Sequence, residues 1–415
     1  MASASIFSAT PLAAPDIILN LSVMAKADTD PSKIDLGVGA YRDDNGQPWV
    51  LPSVRKAERQ ILEDPTSNHE YLAIAGFPSF IAGARKLILG ADSPAIKEER
   101  SYTIQTISGT GAVALGALFL EYYKPDKASI VYISKPTWAN HRQIFETMHH
   151  EVREYPYYHP ATRGLDFEGF TGALESAPEG SIFVIHACAH NPTGVDPSDD
   201  QWKAVAEIMK RRKLFPFFDC AYQGFRSGNV DKDASAVRYF VEQGFELFVC
   251  QSFAKNFGLY GERTGALTVV LKDKATTALV SSQLNRLSRA TISTASAYGA
   301  KIVGRILSDE QLYKDWTDDI ETMSSRIYDM RQKLYDHLIK LGTPGTWNHI
   351  LDQQGMFTFT GLTVDQVHAL RSKHHAYLTD NGRVSMAGLN NSNVERFARA
   401  VDDVVRNVGH TASLL

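Results

Sequence analysis

Lys255 stands in a setting that favours covalent chemistry. It follows the apolar, β-prone run 247–250 and lies between a serine, Ser252, and an arginine, Arg263. Burial at a strand end disfavours the charged amine, so such a lysine can become a neutral nucleophile that attacks an aldehyde. The serine hydroxyl and the arginine cation can bind a phosphate group on the same molecule. Taken alone, the pattern also fits a lysine that merely flanks a buried strand.

A short glycine-containing turn offers a second phosphate-binding element. Ser108-Gly109-Thr110-Gly111 closes a strand-like run and opens the apolar helical stretch 112–120. The first N–H groups of a helix have no partner inside the helix, so they point at any anion placed there. Alone, the turn equally fits an ordinary capped helix start. Together with the serine and the arginine near Lys255, it predicts a phosphate site.

Strand-length apolar runs organise the middle of the chain, and several are separated by segments long enough for a helix. The runs span residues 128–134, 181–189, 214–222, 247–253 and 264–271. This pattern predicts an α/β fold with a mostly parallel sheet covered by helices on both faces. Such sheets bind ligands at the carboxyl ends of their strands. The residues at or just beyond those ends are Asn191, Asp219, Tyr222, Ser252 and Lys255.

A long amphipathic helix is predicted over residues 312–342. Its apolar stripe, at spacings of three and four, consists of Trp316, Ile320, Met323, Ile327, Met330, Leu334, Leu338 and Leu341. Gly342 followed by Pro344 is a typical helix stop. We interpret this helix as a structural spine that joins two domains, with the chain after about residue 343 forming a smaller C-terminal domain.

Composition narrows the class of protein. The 415 residues are 44% hydrophobic and carry a formal net charge of −4 without long runs of one sign, so neither nucleic acid nor a membrane is expected as a partner. Cys188, Cys220 and Cys250 lie in apolar runs, which predicts buried free thiols and no metal site. Residues 1–25 contain no lysine or arginine, so we expect no targeting presequence and a cytoplasmic protein.

Eight segments occur in a familiar order along the chain: DLGVGAYRDDNG, NHEYL, SGTGA, KPTWANH, HACAHNPTG, FFDCAYQGF, SFAKNFGLYGER and GMFTFTGL. From about residue 15 to the C-terminus, the sequence resembles the aspartate aminotransferases, pyridoxal-phosphate enzymes of fold type I. The resemblance implies a large domain around the sheet and a smaller α+β domain built from both chain ends. The implied division is an extension (1–14), an arm and part of the small domain (15–47), the large cofactor domain (48–320) and the small domain (321–415), which the helix 312–342 enters.

The resemblance implies pyridoxal 5′-phosphate as the cofactor. Lys255 would hold it covalently, and Asp219 would keep its ring nitrogen protonated. Tyr222 and Asn191 would bind the ring hydroxyl, and Trp138, in the loop after the strand at 130–133, would pack against the ring. The phosphate would be bound by Ser108, Gly109, Thr110, Ser252 and Arg263, and by Tyr71 from the other subunit of a homodimer. Of these residues, Lys255, Asp219, Tyr222 and Trp138 would be catalytic.

His141, in the same loop as Trp138, would stand behind Asp219, with His186 and His190 as further supporting residues. The Asn191-Pro192 peptide bond is expected to be cis.

Substrate binding is implied in the same way. Arg383 would bind the α-carboxylate, Arg289 would cross the dimer interface to the side-chain carboxylate, and Gly39 belongs to a segment that would close over the substrate. Trp138 and Asn191 would also contact the substrate. Phe357 would form an apolar wall. Where many members read Ser-Asn-Pro-Pro, this chain reads Ser293-Thr294-Ala295-Ser296. The loss of two stiffening prolines bears directly on the placement of Arg289, so we expect somewhat broader substrate tolerance.

The activity implied is reversible ping-pong transamination, L-aspartate plus 2-oxoglutarate giving oxaloacetate plus L-glutamate. Two alternatives stay open. One is an aromatic or broad-specificity aminotransferase on the same scaffold, which only substrate rate ratios would distinguish. The other is a pyridoxal-binding protein without catalysis, against which the joint presence of Lys255, Asp219, Tyr222 and Arg383 argues.

Overall fold

The computed structural model describes residues 5–13, 16–123 and 129–409. The strands are β1 (Ile34–Asp35), β2 (Ser101–Ile107), β3 (Val131–Lys135), β4 (Val152–Pro156), β5 (Tyr158–His159), β6 (Gly164–Leu165), β7 (Ile182–His186), β8 (Phe215–Cys220), β9 (Leu247–Ser252), β10 (Thr264–Val270), β11 (Phe357–Phe359), β12 (Ala376–Tyr377) and β13 (Arg383–Ser385). The helices are α1 (Ile17–Ala27), α2 (Pro52–Glu63), α3 (Pro78–Leu89), α4 (Pro94–Lys97), α5 (Ser108–Tyr123), α6 (Asn140–Thr147), α7 (Phe167–Ser176), α8 (Asp199–Arg211), α9 (Val230–Asp233), α10 (Ser235–Glu242), α11 (Lys274–Thr291), α12 (Ala297–Ser308), α13 (Glu310–Leu341), α14 (His349–Asp352), α15 (Val364–His374) and α16 (Val394–Asn407), with a 3-10 turn at Met386–Gly388.

A seven-stranded sheet in the order β2-β10-β9-β8-β7-β3-β4 forms the centre of the molecule. β10 runs antiparallel to both of its neighbours, and the other adjacent pairs are parallel. The predicted mostly parallel sheet is therefore confirmed, and the five predicted runs correspond to β3, β7, β8, β9 and β10. Residue 128, the start of the first run, lies outside the described residues.

Helices cover both faces of this sheet, which explains why its inner strands are almost wholly apolar. In β8, Phe217 and Phe218 are both fully buried but belong to different cores. Successive side chains of a strand point to opposite faces, so Phe217 packs near α5 and Phe218 packs against Phe240 of α10, with ring centres 5.1 Å apart. Both faces of the sheet are thus closed to water, while its strand ends stay available for a site.

The spine helix predicted over residues 312–342 is α13, Glu310–Leu341. Its N-cap is Asp309, and it ends at Gly342, whose φ of 64° is the left-handed conformation that favours glycine. The predicted stripe is buried except for Leu341, which is half-buried. α13 packs against α2 and α16.

The two ends of the chain meet beside the sheet. β1 pairs in parallel with β12, and β11 pairs antiparallel with β13. The first pairing brings the segment that leads to Gly39 onto the C-terminal part of the chain, and the second presents Arg383. The division into domains stays a prediction, and its residues 1–4, 14–15, 124–128 and 410–415 lie outside the described part of the chain.

Two simpler properties complete the picture. Cys188, Cys220 and Cys250 are buried and unpaired as disulfides, as predicted. None of the helices in the described ranges is long and apolar enough to span a membrane.

Candidate functional site

A cavity of about 480 Å³, counting its open mouth, lies at the carboxyl ends of the central strands. Most of the predicted site residues converge there. Its lining consists of Ser108, Gly109, Thr110, Trp138, His186, Asn191, Asp219, Ala221, Tyr222, Ser252, Ala254, Lys255 and Arg263. The sequence therefore predicted the position of the cavity correctly, from the tendency of parallel sheets to bind ligands at the carboxyl ends of their strands.

One end of the cavity is an anion cradle made of Ser108, Gly109, Thr110, Ser252 and Arg263. Nη2 of Arg263 donates to Oγ of Ser108 at 2.7 Å, and the backbone N–H of Thr110 donates to the same oxygen at 3.2 Å. A Cβ added to Gly109 would lie 2.8 Å from Cβ of Ser252, so only glycine permits this close approach of helix α5 to strand β9. The cradle combines a cation, three hydroxyls and a helix N-terminus, which together suit a phosphate.

Lys255 occupies the middle of the cavity. Its Nζ lies 5.0 Å from the ring centre of Tyr222, and it makes no hydrogen bond or ion pair with the described residues. Burial lowers the pKa of Lys255; Asp219 opposes this shift, and the nearby charge of Arg263 adds to it. The neutral, nucleophilic amine is therefore easier to reach here than on a solvent-exposed lysine.

A chain of hydrogen bonds ends at the carboxylate of Asp219. The backbone N–H of Asn191 donates to Nδ1 of His186 (3.3 Å), and Nε2 of His186 lies 3.1 Å from Oγ1 of Thr137. The same hydroxyl lies 2.9 Å from Nδ1 of His141, whose Nε2 lies 2.9 Å from Oδ2 of Asp219. If each histidine is neutral with its proton on Nε2, every donor meets an acceptor, so the chain fixes both tautomers.

The electrostatics of the cavity fit this assignment. Burial lowers the pKa of His186 far below its usual value, and the neighbouring His190 and His141 add to the effect, so His186 stays neutral. For Asp219, burial works to raise the pKa, and the hydrogen bond from His141 is the largest influence that lowers it. The pKa of Asp219 therefore lies below its usual value, and the site holds a buried, ionised carboxylate.

His141 corrects one local expectation. The sequence placed both Trp138 and His141 in a loop after the strand. The structure leaves Trp138 in that loop but puts His141 in the first turn of helix α6. Trp138 stands edge-on to His141, with ring centres 5.2 Å apart. The buried His141 side chain therefore reaches Asp219 from the first turn of a helix.

Arg383 lies behind the cavity, at the start of β13, and is buried. Its Nη1 donates to Oδ1 of Asn191 at 3.2 Å, and its Nη2 donates to the carbonyl oxygen of Gly37 at 2.6 Å. Its buried Nε has no hydrogen-bond partner. Burial lowers the pKa of Arg383, and the nearby Tyr222 opposes that shift. Arg383 forms no ion pair with a carboxylate of the described residues, so its planar cation suits a carboxylate ligand.

Aromatic groups connect Arg383 to the cavity. The guanidinium carbon of Arg383 lies 4.3 Å from the ring centre of Phe357, which stands edge-on to Tyr222 at 5.7 Å. Burial raises the pKa of Tyr222, while Arg383 and a hydrogen bond to Asn191 lower it, so the phenol stays protonated near neutral pH. A Cβ on Gly39 would lie 2.8 Å from Cζ of Phe357, so Gly39 passes close over this wall. Closure of the Gly39 segment over the substrate stays a prediction.

Tyr71 and Arg289 lie away from the cavity of their own chain. Tyr71 is 85% exposed. Arg289 is in the last turn of α11, also exposed, and its Nη1 donates to the hydroxyl of Ser293 in the segment that departs from the family pattern. The proposed roles of both residues require a second subunit, so they stay predictions.

Some contributing residues were not identified from sequence as site residues. Thr137 is one, although it lies inside the KPTWANH segment next to Trp138. Arg331 is another: it is buried beneath the segment that carries Phe357. Its position four residues after Ile327 and three before Leu334 places it on the apolar stripe of α13, which could have marked it as buried. The Asn191-Pro192 bond is cis, as predicted, and so is Lys135-Pro136.

Comparisons with known proteins agree with this geometry. A family model described as aminotransferase class I and II matches residues 31–401. The cytoplasmic aspartate aminotransferase of Gallus gallus is 50% identical over 410 residues, which cover 98% of this chain and 100% of that protein. The solved aspartate aminotransferase from Saccharomyces cerevisiae cytoplasm has a TM-score of 0.96 at 48% identity, covering 98% of this chain and 100% of that one. An aromatic-amino-acid aminotransferase from Burkholderia pseudomallei, covalently bound to pyridoxal phosphate, has a TM-score of 0.94 at 42% identity, covering 97% and 100%.

Proposed function

Since the chain belongs to the aminotransferase class I and II family, we propose that it is an aspartate aminotransferase that uses pyridoxal 5′-phosphate. It exchanges the amino group of L-aspartate for the oxo group of 2-oxoglutarate, giving oxaloacetate and L-glutamate in a reversible ping-pong reaction. The relatives named cytoplasmic support a cytoplasmic location.

One observation carries the proposal: the amine of Lys255 lies in one cavity with an anion cradle and the ionised carboxylate of Asp219. A cofactor with an aldehyde, a phosphate and a basic ring nitrogen needs an amine for the aldehyde, an anion cradle for the phosphate and a carboxylate for the ring nitrogen. The residues present therefore fit pyridoxal 5′-phosphate.

When bound, the cofactor supplies an aldehyde that accepts the amino group and a ring that takes up the electrons released from the substrate α-carbon. The cradle residues Ser108, Gly109, Thr110, Ser252 and Arg263 would bind the phosphate. Asp219, which stays ionised because the His141 bond keeps its pKa low, would hold a proton on the ring nitrogen. Tyr222 and Asn191 would donate hydrogen bonds to the ring hydroxyl, and Trp138 would pack against the ring.

Lys255 has two successive roles. Its amine would first hold the cofactor and would be set free when the substrate binds. The free Nζ would take the α-proton of the substrate as a general base and later return a proton, because no other amine of the described residues lines the cavity. The lowered pKa of Lys255 favours the free base needed for both roles.

The substrate carboxylates would be bound by two arginines. Arg383 suits the α-carboxylate, since its two terminal nitrogens bond only neutral oxygens of the described residues. Arg289 would reach the side-chain carboxylate from the other subunit of a homodimer, and Tyr71 would reach the phosphate in the same way. Their exposure in the single chain is compatible with that arrangement.

A second candidate, an aromatic or broad-specificity aminotransferase, has one observation in its favour. Arg289 is hydrogen-bonded to Ser293, which belongs to a loop that lacks the two prolines found in many family members. Because this loop is less stiff, it constrains the position of Arg289 relative to a second substrate carboxylate less tightly. Selection for dicarboxylates would then weaken, and larger apolar side chains would be better tolerated.

The experiment combines labelling with kinetics. Borohydride reduction of the cofactor-loaded protein, followed by peptide mapping, should place the label on Lys255. Initial rates with aspartate, glutamate, phenylalanine, tyrosine and alanine should show the highest kcat/KM for the two dicarboxylates. A label on another lysine would refute the site, and a preference for phenylalanine or tyrosine would favour the second candidate. If the purified protein shows neither a visible cofactor band nor transamination, the alternative of a protein without catalysis is favoured.

A further inference from the structure

Arg331 is a fully buried arginine without an acidic partner. It lies on α13 with 1% of its surface exposed. No carboxylate of residues 5–13, 16–123 and 129–409 lies within ion-pair distance of it. Burial lowers the pKa of Arg331 to about 10, which still leaves it charged near neutral pH. Buried charges are normally paired, so this one requires another explanation.

The guanidinium instead donates to four neutral acceptors in one short segment. Nη1 bonds the carbonyl oxygen of Ile350 (3.0 Å) and the hydroxyl of Thr358. Nη2 bonds the carbonyl oxygens of Gly355 (2.8 Å) and Phe357 (2.6 Å). Three of the four acceptors fall within residues 355–358, which we call the wall segment because it carries Phe357. A planar, multidentate cation holds such a segment in one conformation more firmly than a single bond would.

The wall segment lies between Arg331 and the groups that hold Arg383. In β11, Phe357 pairs with Ser385 of β13, and Phe359 pairs with Arg383 itself. The Phe357 ring lies under the Arg383 guanidinium at 4.3 Å. Arg331 and Arg383 therefore stand on opposite sides of the same strand.

The wall segment and the residue before it, Gln354, also pack on the turn that carries Asn191. The backbone N–H of Gln354 donates to the carbonyl oxygen of Gly194 at 2.6 Å. A Cβ on Gly194 would lie 2.7 Å from the carbonyl oxygen of Phe357, the oxygen that Arg331 also binds. Asn191 accepts a hydrogen bond from Arg383, so displacement of the wall segment would move both the support and the partner of that arginine.

We propose that Arg331 is a positioning residue that sets the location of Arg383, and hence the affinity for the substrate α-carboxylate, by holding the wall segment. It touches neither substrate nor cofactor. This inference rests on the proposed function, because it assumes that Arg383 binds the α-carboxylate.

The test uses Arg331→Met, which keeps much of the side-chain bulk but removes every donor, and Arg331→Lys, which keeps the charge with fewer donors. In Arg331→Met we expect KM for amino acids to rise about tenfold, equivalent to about 1.4 kcal/mol. The maximal half-reaction rate should stay within about threefold of wild type, because Lys255 and Asp219 are undisturbed. Arg331→Lys should recover part of the affinity, and it carries the test if the methionine variant does not fold.

Two features distinguish positioning from general damage. The α-carboxylate is common to all amino acids, so KM should rise by the same factor for aspartate and phenylalanine. The matched control is Arg163→Met: Arg163 also donates to a backbone carbonyl, that of Thr346, and contacts the ring of His349, but it forms no hydrogen bond with the wall segment. This control should keep the wild-type KM.

Binding of succinate, measured from the change in the visible band of the cofactor-loaded protein, provides a readout without turnover. Its Kd should rise in Arg331→Met in parallel with KM. An unchanged KM and Kd in a folded, cofactor-loaded variant would overturn the inference, as would a loss confined to dicarboxylates or an equal loss in Arg163→Met. If wild type binds succinate but does not transaminate, only the proposed function fails, and the Kd comparison still decides the role of Arg331.

Discussion

Replacing His141 by leucine should change the pH range in which the enzyme works. His141 is fully buried, and its Nε2 lies 2.9 Å from the carboxylate of Asp219. Burial alone would raise the pKa of Asp219, and the hydrogen bond from His141 is the largest influence that opposes it. Leucine has similar bulk but no hydrogen-bond donor, so in His141→Leu the effect of burial should raise the pKa of Asp219.

The magnitude follows from the strength of one hydrogen bond to a charged group. Such a bond contributes about 1.5–3 kcal/mol, or about one to two units of pKa. Because the pKa of Asp219 is lowered in the folded protein, the carboxylate is ionised above that pKa and becomes protonated as pH falls through it. In His141→Leu this protonation should occur about one to two pH units higher.

The assay is the maximal rate of the aspartate half-reaction as a function of pH, measured by stopped flow with saturating substrate. The acid limb of the profile should move upward in His141→Leu, with partial recovery at higher pH. His190→Gln is the control, since His190 lies beside His186 (ring centres 4.1 Å apart) but has no bond to Asp219. A profile of His141→Leu that overlays wild type would refute the assignment of His141 as the group that keeps Asp219 ionised.

Three further substitutions test the remaining site groups. Lys255→Ala should still bind the cofactor through the anion cradle and Asp219 but lose nearly all transamination; retention of substantial activity would refute its role as the base. Asp219→Ala should bind the cofactor yet slow α-proton removal far more than it weakens binding; single-turnover rates within about threefold of wild type would exclude the electron-withdrawing role. Arg289→Asp should lower kcat/KM for aspartate and glutamate at least about 10²-fold while largely sparing alanine, because a desolvated charge pair is worth about 2–5 kcal/mol. A heterodimer of Arg289→Asp with Lys255→Ala should regain activity at one site, and no recovery in verified heterodimers would show that Arg289 does not act across the interface.

The sequence predicted those parts of the molecule that depend on short-range patterns. The apolar runs identified five strands of the sheet, and their ends marked Asn191, Asp219 and Lys255 because parallel strands present their carboxyl ends at one edge. The turn at Ser108 was readable because strand, glycine and helix follow one another directly.

Other features could not be predicted, because they depend on contacts between distant segments. The reversed direction of β10 is one, since an apolar run carries no sign of its orientation. The relay from Asn191 to Asp219 is another: Thr137 joins two histidines that come from different parts of the chain. Arg331 was not identified because only apolar residues were used to define the buried stripe of its helix, although its spacing places it on that stripe.

The reversal of β10 has a consequence for how the protein folds. β9 and β10 are antiparallel neighbours, so a single loop between Ser252 and Thr264 joins the end of β9 to the adjacent start of β10. This loop carries both Lys255 and Arg263. A local hairpin of this kind forms early, whereas β2 and the start of α5 must arrive from a distant part of the chain. We therefore expect the cofactor to be captured only in the last stage of refolding, when Ser108 joins Arg263. Stopped-flow refolding with pyridoxal phosphate present should show the cofactor signal in the slowest phase, and its appearance with the first burst of secondary structure would disprove this order.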